Sequence, residues 1–105
     1  MFTSKKEALQ ALHNDQKELN RIDFDALLDD GYDGCDKKQN ARYAAANESL
    51  ESLRYRVARY AFASITEDEL NELWKTSWES RCSYLPEEQY AHINNYIQSL
   101  IKYLK

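Results

Sequence analysis

Apolar residues recur along this chain at the three-to-four-residue interval that places them on one face of an α-helix. Leu9, Leu12 and Leu19, with Ala8, share such a face, and His13 sits beside it. Ser4 and Glu7 have capping-box spacing, which starts this helix. Asp23 can cap a short second helix with Phe24, Leu27 and Leu28 on its apolar side, and Ile22 and Leu27 fit a hydrophobic staple across its start. A third, longest segment lacks glycine and proline and is rich in Ala, Arg, Glu and Leu. Its stripe is Ala46, Leu50, Leu53, Val57, Tyr60, Ala61 and Ser64. Thr66, with Glu69 in capping-box position and Glu67 and Asp68 in the first turn, opens a fourth helix, whose face runs through Leu70, Leu73, Trp74 and Trp78. Pro86 occupies a first helical position, and Tyr90, Ile93, Ile97, Leu100, Ile101 and Leu104 follow as the cleanest amphipathic pattern in the chain.

These patterns predict one all-α domain over residues 1–105: a compact bundle of four main helices and one short helix, at about 4–20, 23–30, 38–63, 66–82 and 86–104. The composition agrees. Two glycines and one proline are too few for the many tight turns of a strand-rich domain. Gly31 and Gly34 mark the one definite loop, from Asp29 to Lys37 or a little beyond. A chain of this length supports one core and leaves little room for a deep enzyme cleft.

Charge adds what periodicity does not show. Residues 1–36 carry four basic and nine acidic groups, residues 37–65 six and two, and residues 66–105 four and seven, within a net charge of −4. Asp23, Asp25, Asp29, Asp30, Asp33 and Asp36 follow one another with no lysine or arginine between them. Such segregation makes patches, and patches steer partners. The acidic total disfavours general affinity for nucleic acid or an anionic membrane. No run of about 18 apolar residues is present to span a membrane, and the N-terminal residues lack the apolar stretch of a secretory signal. Two cysteines, Cys35 and Cys82, then read as free thiols, and the expected location is cytoplasmic.

Motifs for chemistry are sparse. A trial calcium loop from Asp29 puts Gly31 at position 3 and Asn40 at position 12, where the ion needs a side-chain oxygen and a bidentate acid. Cys35, Cys82, His13 and His92 lack the close paired spacing of a zinc site, and nothing in their spacing makes a Cys–His nucleophile. Two glycines cannot build a phosphate-cradling loop. The expectation is therefore no catalytic residue, no metal and no cofactor.

What the sequence offers instead is surface. Eight tyrosines and two tryptophans are rich for this length, and such residues dominate binding hot spots. Tyr32 stands between Asp30 and Asp33, while Tyr96 and Tyr103 fall off the apolar stripe of the last helix. The expected partner-binding set is Asp25, Asp29, Asp30, Tyr32, Asp33, Asp36 and Trp78, directed at a basic surface of a larger protein. In general composition the chain is similar to many small inhibitors, immunity proteins and phage-encoded host-takeover proteins, which implies stoichiometric blocking and, for the last group, an anti-defence role. The alternative is a helical nucleic-acid-binding or transcription-related regulator using Lys38, Arg42, Arg56 and Arg59 on one flank of the third helix. A homo-oligomer seam on the C-terminal helix is a further expectation.

Overall fold

A computed structural model describes residues 1–28, 37–78 and 85–105. It holds five helices: α1 Lys5–Asn20, α2 Phe24–Leu28, α3 Lys37–Ala58, α4 Glu67–Thr76 and α5 Pro86–Leu104. Among the described residues the only extended pairings are isolated bridges, so the fold is all-α as the periodicity predicts.

Helix starts follow local chemistry. The Ser4 hydroxyl accepts the Glu7 amide at 3.0 Å. Asp23 Oδ1 accepts the Ala26 amide at 3.1 Å at the start of α2. Thr66 and Glu69 complete a reciprocal capping box, with Thr66 Oγ1 accepting the Glu69 amide at 3.2 Å and Glu69 Oε1 accepting the Thr66 amide at 3.3 Å. Pro86 opens α5, where its missing amide hydrogen costs nothing.

Two helix ends differ from the predicted ones, each for a tertiary reason. α3 stops at Ala58 instead of continuing to Ala63. Tyr60 to Ala63 leave the helix because the N-terminal residues pair with them: the Phe2 amide donates to Ala61 O at 2.9 Å, and the Ala63 amide donates to Phe2 O at 3.0 Å. The rings of Phe2, Tyr60 and Phe62 cluster there, with Phe2 edge-on to Tyr60 at 5.0 Å and stacked on Phe62 at 5.4 Å. α4 ends at Thr76, capped by Ser77, instead of running to residue 82. Side chains from α5 meet its last carbonyls: the His92 ring lies 2.9 Å from Trp74 O, and Asn95 Nδ2 donates to Ser77 O at 3.2 Å. Orphan carbonyls at a helix end need such donors.

α5 is the centre of the bundle and packs on each of the other four helices. Its buried residues include Ile93, Ile97, Leu100, Ile101 and Leu104, and they meet Leu12 and Leu19 of α1, Leu27 of α2 and Leu50, Leu53 and Val57 of α3 in one core. Because α5 is covered on more than one side, Tyr96 is buried as well, although its sequence position lies off the apolar stripe. α4 is different. It buries none of its residues, and Leu70, Leu73 and Trp74 are only partly covered where they pack against the core.

Candidate functional site

Of the residues expected to bind a partner, Asp25 is exposed in the first turn of α2. Asp29, Asp30, Tyr32, Asp33 and Asp36 lie outside the described residues, as do Gly31, Gly34, Cys35, Cys82 and Tyr84. Trp78 is half-buried, its ring stacked on His92 at 3.8 Å between centroids.

Two cations of the basic strip of α3, Arg42 and Arg56, are engaged by acids from α1 and from the residue preceding α2. Arg42 donates to Asp23 Oδ2 through Nε at 3.0 Å and Nη2 at 2.7 Å. Asp23 thus caps α2 with one oxygen and holds Arg42 with the other. The Arg42 guanidinium, then the Ala26 amide, keep its carboxyl below the usual carboxylate pKa. Arg59 lies over the Tyr55 ring at 3.9 Å from its centroid, a cation–π pair on the exposed side of the helix. Lys38 is exposed near the start of α3.

Arg56 belongs to a four-residue network. Its Nη2 donates to Asp15 Oδ1 at 2.8 Å and also to Glu18. The Tyr60 hydroxyl donates to Asp15 Oδ2 at 2.5 Å. Asp15 is only 4% exposed, so both of its oxygens are satisfied inside the fold. Burial draws the Arg56 guanidinium down, but the hydrogen bonds to Glu18 and Asp15 outweigh it and hold the cation above its ordinary pKa. Burial, followed by the bond to the Asp15 carboxylate, pushes the Tyr60 phenol up to about 12. The sequence holds a signal for this group. Asp15 falls on the buried face of α1 with Ala8, Leu12 and Leu19, a place where a carboxylate needs a partner.

A second cluster joins α4 to α5. His92 is fully buried between two indoles, edge-on to Trp74 at 4.2 Å and stacked on Trp78. Its Nε2 faces the Trp74 carbonyl, so the proton resides on Nε2 and Nδ1 is a bare acceptor. Nδ1 is buried and has no hydrogen-bond partner among the described residues. Burial lowers the imidazole pKa; the Trp74 bond opposes this, and the Arg54 charge adds to it.

A third feature lies where α2 meets the start of α5. Phe24 is 37% exposed, and its ring packs on half-buried Tyr90 at 4.8 Å. Asp23 and Asp25 flank Phe24 in sequence, and the run from Asp29 to Asp36 follows α2. Periodicity assigns Phe24 and Tyr90 to apolar faces but does not reveal that they meet at the surface.

Among the described residues, no three His, Cys, Asp or Glu side chains are gathered to hold a metal ion, and no helix is long and apolar enough to cross a membrane. No protein-family model, curated protein or solved structure matches this chain.

Proposed function

We propose that this protein works by binding another protein, as a small acidic inhibitor or adaptor that covers a basic, nucleic-acid-handling surface of a larger partner. The observation that carries this reading is exposed Phe24, packed on half-buried Tyr90 beside Asp25 and next in sequence to the aspartate run. An aromatic anchor bordered by carboxylates suits a basic surface: the charges steer approach and the ring supplies contact area. The internal pairing of Arg42 with Asp23 and of Arg56 with Asp15 and Glu18 also supports it, because these cations are already engaged within the molecule. Trp78, stacked on His92, acts in this reading by packing rather than as an anchor.

The test is affinity capture from source-cell or host lysate, with and without nuclease, using the wild type and a Phe24→Ala/Asp25→Lys variant. One dominant protein should survive nuclease and be missing from the variant's capture, while the variant keeps its helical circular dichroism. Equal capture by both chains overturns the placement of the site. The alternative use of α3 on nucleic acid is favoured by one feature, the exposed Arg59–Tyr55 pair, and it requires capture that nuclease abolishes.

A further inference from the structure

A cleft of about 560 Å³ opens between α4 and the segment from Ala58 to Ile65, with Tyr96 of α5 among its walls. Its volume falls within the range of small-molecule sites. We propose that it binds a small hydroxyl-bearing aryl-alkylamine, with the ring among the aromatic walls, the ligand hydroxyl on Tyr96 and the amine at Glu67.

The residues of α4 that line the cleft are Glu67, Leu70, Asn71 and Trp74. Their spacing of three, one and three puts all four on one face of the helix. Leu70 and Trp74 are partly buried along this face, and the polar pair, Glu67 and Asn71, is exposed at its rim. The same helix buries none of its residues. Its start is nevertheless fixed by a complete capping box, and its end is held by His92 and Asn95, so it forms a firm wall over a partly filled space.

The opposite wall carries the second observation. Tyr96 is 2% exposed and lines the cleft, yet its hydroxyl makes no hydrogen bond to the described residues. The Trp74 ring meets Tyr96 edge-on, with an interplanar angle of 83° and 4.8 Å between centroids. Tyr60 and Phe62 add further aromatic surface to the lining. Aromatic faces attract cations, and Glu67 is the one charged side chain among the residues that line the cleft. Seven residues separate Glu67 from Trp74, about 10 Å along the helix, which matches the reach of an arylethylamine plus the Glu67 side chain. The cleft uses neither Phe24 nor Asp25 and stands apart from the protein-binding reading.

The experiment titrates the full-length, nitrogen-15-labelled chain with tyramine and follows the Trp74 indole N–H signal. A saturable shift is expected. The anion 4-hydroxyphenylacetate, which keeps the phenol and reverses the charge, should bind about fivefold more weakly, the size of an exposed ion pair, and Glu67→Gln should remove that difference. Phenylethylamine, which lacks the hydroxyl, should also bind more weakly than tyramine, and Tyr96→Phe should erase that preference. Asn71→Phe blocks the cleft from an exposed position and should abolish the shift with circular dichroism unchanged. The proposal is overturned by the absence of saturation up to about 10 mM tyramine. It is overturned equally by binding that is indifferent to ligand charge or that persists in Asn71→Phe.

Discussion

Asp15 shows how one residue can tie a helix to the rest of a fold. A carboxylate on the buried face of α1 would be costly alone, but Arg56 neutralises it and Tyr60 donates to its second oxygen. Removing the phenol donor in Tyr60→Phe should therefore cost about 1–2 kcal/mol in urea unfolding. The alkaline limb provides a separate check. The Tyr60 phenol is raised from 10 to about 12 in the folded chain, so as pH rises past 10 the unfolded state releases a proton that the folded state keeps. Stability present below pH 10 should then be lost as pH approaches 12, and Tyr60→Phe should show a shallower loss over that window. Equal alkaline slopes in the two proteins would remove the Asp15–Tyr60 bond from the account. The spacing of Asp15 with Leu12 and Leu19 marks it in the sequence as a buried acid. Its partners were not legible, because Arg56 and Tyr60 lie more than forty residues away and only the docking of α1 on α3 brings them there.

Among the elements, starts were readable, as were the ends of α1 and α5, but the ends of α3 and α4 were not. Ser4, Asp23 and Thr66 accept backbone amides within a turn of themselves, and Pro86 needs no partner for the amide hydrogen it lacks, so a single sequence carries the whole signal. The end of α3 depends on Phe2 and the end of α4 on α5, and neither neighbour is known from local pattern. Alternation of Tyr60 and Phe62 with Ala61 and Ala63 is the trace that the pairing with Phe2 leaves in the sequence. α4 depends on a titratable group. His92 donates to its Trp74 carbonyl and is held neutral by burial, with a pKa below the ordinary 6.5. As pH falls below 6.5 the unfolded chain takes up a proton that the folded chain resists, so stability present above 6.5 is lost as pH passes through the folded value. Thermal unfolding between pH 7 and 5 should show this loss in the wild type and a flatter response in His92→Phe, which keeps a ring between the two indoles. A wild-type curve as flat as that of the variant would mean that the imidazole is not held neutral.

For the whole molecule, charge segregation has two consequences with opposite demands. The acidic N-terminal third and the basic middle third hold each other through Asp23–Arg42 and through Asp15 and Glu18 with Arg56. The same pairing quiets part of the basic strip and leaves the molecule at a net charge of −4. The sequence displayed the segregation but not which charges pair, and that choice bears on both functional readings. Arg42→Ala separates them by sign. It releases Asp23, which borders Phe24, and moves the net charge from −4 to −5. If the protein binds a basic surface through its acidic end, the variant should associate faster with its captured partner. Raising salt should narrow the difference, since both terms are screened surface electrostatics. If the strip on α3 binds nucleic acid, the same variant loses a phosphate contact, and its retention on nucleic acid should weaken with a shallower salt dependence. Association rates for the captured partner and salt titrations on nucleic acid, made on one pair of proteins, give changes of opposite direction. A slower association with the protein partner in Arg42→Ala would overturn the acidic-face reading even if some complex still formed, because electrostatic steering acts first on the rate of encounter.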